Sequence, residues 1–376
     1  MAFSFNKTKA DLGSYPPFLL MAPRGFGKTT FYKKLINYLY HDQSCGLLIS
    51  CGTEKGYKSL NGVQYAYAQV WDKEYEEEKI TGEGRGFIDI IDEVVNEYGN
   101  HNIKVVFIDT LDTLTEICEP EILRLHRKEY KDKAPAKSYN QAMGGFQEGH
   151  RRAAKLIRHQ VDRLNELGIA VFYLAHTKFK NKKETFTKEE YETYTNSLLP
   201  VFYDGVADTC QMVMVGTIEK TITDKHVEEE RRVLYLRPTS LIEAKSRFTH
   251  LPEKIDFTLD GCAKAFMDAF EEAVKFELEE DGFDVDLDKV RKEEIKDRDK
   301  VSKEAKEKDV KIRQKENSID EVRNSELISV IQSKFSSASA DTKANVKQIM
   351  ANNGFSKFSD ENIPTAALEE IVALLK

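Results

Sequence analysis

Between residues 16 and 260 short apolar runs recur: FLLM (18–21), GLLIS (46–50), IKVVFID (103–109), IAVFYLA (169–175) and TCQMVMVG (209–216). None alternates apolar with polar residues, which is the pattern of strands buried on both faces of a parallel sheet. Stretches of helical period lie between them. TTFYKKLINYLY follows the first run, GFIDIIDEVVNEYG precedes the third and EGHRRAAKLIRHQVDRLNELG precedes the fourth, with Gly168 placed to end that helix. Strand and helix in alternation predict an α/β fold with a mainly parallel sheet and crossover helices. After residue 216 the text changes to TIEKTITDKHVEEERRVLYLRP and LIEAKSRF, which read as antiparallel strands joined by a charged turn.

The pattern changes again beyond residue 275. Of the 36 positions from 281 to 316, 12 are Asp or Glu and 12 are Lys or Arg, so apolar residues are too sparse for a core. A charged helix or linker is expected over 276–324. Apolar periodicity returns in ELISVIQSKF, TKANVKQIMANNG and IPTAALEEIVALLK, punctuated by Gly354 and Pro364. The expected organisation is one α/β domain over 1–275, the linker, and a small helical module over 325–376.

Composition narrows this only a little. The 376 residues are 40% hydrophobic and 32% charged, with a formal net charge of -8, so any nucleic-acid contact must be made by local basic patches. Five scattered cysteines with no C-x-x-C pair argue for reduced thiols over a disulfide framework or a zinc site. No stretch approaches the ~18 apolar residues of a membrane span, and the first residues hold no apolar signal core. A cytoplasmic protein without membrane contact is expected.

The chemistry is carried by APRGFGKTT (22–30). It fits the phosphate-loop pattern G-x-x-x-x-G-K-[ST] except that Ala22 stands at the first glycine. Such a loop works because successive backbone N–H groups face the phosphates at a helix N-terminus. Gly27, where backbone must come close to phosphate, is present. A methyl at position 22 is harmless unless the backbone there must take a positive φ, which would cost about 1–2 kcal/mol. Pro23, Arg24, Gly25, Phe26, Gly27, Lys28, Thr29 and Thr30 are therefore the expected ATP-binding residues. Lys28 would reach the phosphates, and Thr29 would hold Mg2+. The second metal-holding group is expected in Asp109, a carboxylate at the end of the buried run KVVFID. Glu54, between Gly52 and Gly56 after the second run, is placed to orient the attacking water. His176 ends the fourth run, where it could sense the terminal phosphate. Taken singly, the aspartate could be a helix cap, the glutamate solvated surface and the histidine a strand-end residue.

Together, APRGFGKTT, GTEKG, VVFIDT, and YLAHTK followed by EAKSRF resemble phage-encoded RecA-like ATPases, in particular those that act as single-strand annealing recombinases. The resemblance covers about residues 15–260. It implies a RecA-like P-loop core with Lys28 and Thr29 on phosphate and Mg2+, Asp109 as the strand-end acid and Glu54 as the water-orienting acid. It implies His176 as the residue coupling nucleotide state to DNA-binding loops, and a bacterial host cytoplasm as the setting. Lys245 and Arg247 in KSR resemble the Lys-x-Arg hairpin that ring-forming helicases insert into a neighbour's site. A homo-oligomer, ring or filament, follows from that.

Two basic segments, expected as loops after the third and fourth strands, are the candidates for single-stranded DNA. RLHRKEYKDKAPAK (124–137) has six Lys or Arg against two acids, and KFKNKKETFTK (178–188) has five lysines against one glutamate, with Phe179 and Phe186 interleaved. GGFQEGHRR (144–152) adds Phe146 beside Arg151 and Arg152. Cations with aromatics suit a single strand, which needs charge neutralisation and stacking surfaces. The leading expectation is an ATPase of DNA recombination or replication that binds or anneals single strands. The alternatives are a helicase or helicase loader, and a nucleotide-dependent switch recruiting a single-strand-binding or replication protein through its C-terminal module.

Overall fold

In the computed structural model the strands are β1 (Phe18–Ala22), β2 (Gly46–Cys51), β3 (Tyr65–Val70), β4 (Gly84–Gly86), β5 (Val105–Asp109) and β6 (Ala170–Lys183). They continue with β7 (Glu190–Asn196), β8 (Met212–Thr223), β9 (His226–Tyr235), β10 (Lys245–Ser246) and β11 (Lys254–Asp256). Described residues are 11–280 except 132, 133, 185, 224 and 225, scattered positions from 286 to 300, and 321–375 except 336, 337, 354 and 359–362. The main sheet runs β11-β9-β8-β1-β6-β5-β2-β3-β4, with β7 paired to β6 and β10 to β8. From β8 through β4 every neighbouring pair is parallel. The α/β fold with a mainly parallel sheet is thus as the sequence pattern indicates.

Both faces of that sheet are covered, which is why its strands read as unbroken apolar runs. Leu19 and Met21 of β1 join one core, with helices α3 (Phe87–Asn96), α4 (Leu111–Glu129), α5 (Glu148–Glu166) and α6 (Pro200–Ala207). A short α2 (Lys73–Glu76) precedes α3 in the chain. Phe18, Leu20 and Ala22 join the other core, with α1 (Lys28–Tyr40) and α7 (Cys262–Glu280). There Phe18 and Phe107 stack on either side of Phe172, with ring centroids 4.7 and 4.5 Å apart, tying β1, β6 and β5 together. Gly168 takes φ +73° just past α5 and turns the chain into β6.

Three expectations are corrected here. Residues 124–129 are not loop: they form the last turns of α4, where Arg124 grips Glu121 at 2.6 Å. Segment 178–188 is a β-hairpin, because β6 runs on past the sheet and pairs with β7 from Thr177 to Lys183. LIEAKSRF supplies only the two-residue β10. The hairpin expected after residue 216 is present as β8 and β9. No helix among the described residues is long and apolar enough to cross a membrane.

The chain divides into two compact units, Met1–Asp299 and Lys300–Lys376. The first carries the sheet, and α7 closes its core with Leu278 still buried. The second contains α8 (Glu321–Phe335), α9 (Ala340–Asn352) and α10 (Thr365–Leu374) around Leu327, Ile331, Val346, Leu368 and Ile371. Pro364 directly precedes α10, while Gly354 and most of the charged stretch 281–316 lie outside the described residues.

Candidate active site

The loop between β1 and α1 spans residues 23–27, and Gly25 and Gly27 carry its positive φ values, +75° and +113°. Ala22 does not share them. It is the last residue of β1, fully buried and paired with His176, so its methyl strains nothing. Room for the methyl is made elsewhere. A Cβ on Gly216 would lie 2.9 Å from that of Ala22 and 2.5 Å from Cζ of Phe26, whose buried ring rests on Phe257 at 4.3 Å. Gly216→Ala is accordingly expected to cost about 1–3 kcal/mol by overpacking. Denaturant unfolding checks this, and an unchanged midpoint would contradict the packing argument.

Lys28 is 8% exposed, and its Nζ donates to the carbonyls of Ala22 at 2.9 Å and Pro23 at 3.3 Å. Burial pushes its pKa down, while Asp109, Asp112 and Glu54 pull it back up. Thr29 Oγ1 donates to Oδ2 of Asp109 at 3.1 Å. Burial pushes the Asp109 carboxyl up, opposed by Lys28. No group of three or more His, Cys, Asp and Glu that could hold a metal occurs among the described residues. One hydroxyl beside one carboxylate fits Mg2+, which is held by one or two protein groups and by phosphate oxygens.

Glu54 stands on the loop after β2 and lines the same pocket as Lys28, Thr29, Asp109 and His176, a cavity of about 580 Å³. Its loop is tethered: Ser50 donates to the Glu54 carbonyl at 2.7 Å, and Tyr67 donates to that of Gly52 at 2.6 Å. Gly56 lies close over the Thr29–Asp109 pair, since a Cβ there would sit 3.4 Å from Thr29 Oγ1 and 3.9 Å from Asp109 Oδ2. The structure therefore brings together the loop residues, Asp109, Glu54 and His176.

A residue that sequence reasoning missed joins them. Asp112, in the first turn of α4, accepts the backbone N–H of His176 at 2.9 Å and stands 3.5 Å from its Nδ1. The Ser197 hydroxyl donates to the other carboxylate oxygen. Burial pushes the Asp112 carboxyl up, but these hydrogen bonds outweigh it and hold it below the usual range. An acid three residues after Asp109 was the available signal.

Lys245 and Arg247 are not brought to the pocket of their own chain. β10 pairs with Met212 and Val213, level with the start of β1, whereas the loop follows the end of β1. Lys245 donates to the carbonyls of Ala207 and Asp208, and Arg247 to that of Asp208, at the carboxyl end of α6. There two cations complement the helix dipole.

In the β6–β7 hairpin, Lys178, Lys180 and Lys182 share one face, since they lie opposite Thr195, Thr193 and Tyr191. Burial, then the like charges of Lys178 and Lys182, push the pKa of Lys180 down. Phe179 and Phe186 are 68% and 90% exposed. β7 also brings acids that the segment 178–188 did not show: Lys183 pairs with Glu190, and Lys182 pairs with Glu243 from outside the hairpin.

A strand that delivers a backbone cradle to a helix N-terminus, with a buried carboxylate two strands away facing the hydroxyl beside the lysine, defines a P-loop nucleotide-binding core. Residues 15–248, well over half of the chain, match the family described as AAA domain, and the chain belongs to that family. Membership brings nucleotide and usually Mg2+ use with it, and suggests ATPase activity. No curated protein matches the chain.

Proposed function

We propose that this chain hydrolyses Mg-ATP and works on single-stranded DNA in recombination or replication, in the manner of the RecA-like annealing ATPases. In this reading Lys28 neutralises the phosphates, Thr29 and Asp109 hold Mg2+, and Glu54 orients the attacking water. One observation carries the DNA part. β6 is a single strand that begins in the sheet, passes the pocket at His176, and continues into the hairpin that displays Lys178, Lys180, Lys182 and Phe179. A change at the terminal phosphate has a direct mechanical route to those cations. Phe146, 93% exposed on a loop where residues 143–147 all hold positive φ, offers a second stacking surface. Head-to-tail assembly, with Lys245 and Arg247 in a neighbour's site, belongs to the same reading. Its support is the resemblance of KSR, since both cations serve α6 in their own chain.

The test is steady-state ATP hydrolysis with and without single-stranded DNA. Stimulation is expected, and replacing Lys178, Lys180 and Lys182 by glutamate should weaken DNA binding at least about tenfold and flatten its salt dependence. ATP binding should be kept. Hydrolysis indifferent to DNA would retire the recombinase reading. The pairing of Lys182 with Glu243 and of Lys183 with Glu190 would then favour a switch that recruits partners through α8, α9 and α10.

A further inference from the structure

We infer that the pocket grips the base of its nucleotide between Leu60 and Leu259, chiefly by apolar contact, and so accepts purine nucleotides with little regard to which purine they carry. This rests on the nucleotide reading above.

The pocket has two chemically distinct ends. Lys28, Glu54, Asp109 and His176 make the ionic end, where a terminal phosphate belongs. A polyphosphate laid from there along the loop N–H groups reaches the first turn of α1, and the nucleoside must leave over Thr30. Two leucines line the pocket there, Leu60 and Leu259. Each is tied to the following turn of the same helix. Lys33 Nζ donates to the carbonyl of Asn61 at 2.7 Å, fixing the Leu60 loop. Lys34 Nζ meets Oδ1 of Asp260 at 2.7 Å, fixing the Leu259 loop.

Leu259 is 41% exposed, and its Cδ2 would lie 2.8 Å from a Cβ on Gly27, so it overhangs the phosphate loop itself. Its neighbour Phe257 is buried beneath Phe26, which leaves Leu259 as the apolar surface turned outward. This wall lies beyond residue 248, where the family match ends, and is supplied by the segment between β11 and α7.

Telling one purine from another needs hydrogen-bonding groups, side chain or backbone, aimed at the base edge; an apolar surface discriminates weakly. Among the described residues that line the pocket there is no Asn or Gln, the carboxylates of Glu54 and Asp109 are at the ionic end, and the Thr30 hydroxyl, which can donate or accept, suits either purine.

Equilibrium binding of ADP, GDP and inorganic tripolyphosphate to the full chain tests this, with Mg2+ present. ADP and GDP are expected to bind within about threefold of each other. Leu259→Ala should weaken both about tenfold and leave tripolyphosphate unchanged, while Leu259→Met, which keeps the apolar surface, restores them. A preference for one purine above about thirtyfold would overturn the inference. So would an alanine variant that weakens all three ligands alike, or none; in those cases tripolyphosphate binding shows that the nucleotide reading survives. Binding of neither nucleotide nor tripolyphosphate by the parent chain would sink both.

Discussion

Replacing Lys28 by alanine is expected to cut ATP hydrolysis by about 10²–10³-fold, the usual loss when one preorganised charge-stabilising donor is removed. Lys28 sits almost wholly buried at the mouth of α1, donating to the carbonyls of Ala22 and Pro23. A buried ammonium costs desolvation energy, and the lowered pKa of Lys28 is the signature of that cost. The linkage sign follows. A lysine whose pKa is lower folded than unfolded binds fewer protons in the native state, so its cost to stability is greatest below the folded pKa. That cost is relieved as pH rises from the folded pKa to the unfolded one. The variant is relieved of that cost but leaves the carbonyls of Ala22 and Pro23 without their donor, so without nucleotide it should melt close to the parent at neutral pH. What it should lose is the gain from ligand, about 2.7 kcal/mol at a nucleotide concentration 100 times Kd. Hydrolysis within tenfold of the parent, or full thermal stabilisation by ATP, would remove Lys28 from the phosphate site.

The loop was legible because its rule is local: strand, glycines at fixed offsets, lysine, hydroxyl, helix. The alanine at its first position was a question that the sequence could pose but not close. Its answer lies at Gly216, nearly two hundred residues on, where a missing side chain leaves room for Ala22 and Phe26. Glu54 and Asp109 were readable as polar residues ending buried runs. Asp112 was not, since its role depends on β6 and β7 folding back so that His176 and Ser197 reach it.

β3 and β4 escaped for a different reason. YAYAQV is exposed or half-buried at three of its six positions, and GRG contributes no apolar side chain. Such strands near a sheet edge carry a weak pattern. The basic segments show the limit of counting charge along a window. Arg124 is spent on Glu121 within a helix, Glu243 reaches Lys182 only through tertiary contact, and Glu190 of β7 meets Lys183, on the opposite face of the hairpin, only through strand pairing.

Glu54→Gln is expected to separate binding from turnover, with hydrolysis falling about 10²–10⁴-fold while ATP affinity stays within about threefold. Glutamine keeps the shape of the side chain and leaves the tethers intact, because Ser50 bonds the Glu54 carbonyl and Tyr67 that of Gly52. What disappears is the carboxylate that would accept the water's proton. Affinity should not suffer, since Glu54 adds negative charge to a pocket that already holds Asp109 and helps push the Asp109 carboxyl up. Removing it lessens repulsion toward a triphosphate. The result therefore differs in kind from Lys28→Ala, which should lose binding and turnover together. Single-turnover hydrolysis beside equilibrium binding makes the comparison. Were Glu54→Gln to turn over at the parental rate, the water would have to be oriented by another group on that wall. His176 is then the candidate, because Asp112 holds it by its backbone N–H and stands 3.5 Å from its ring. The same two assays on His176→Ala would decide between them.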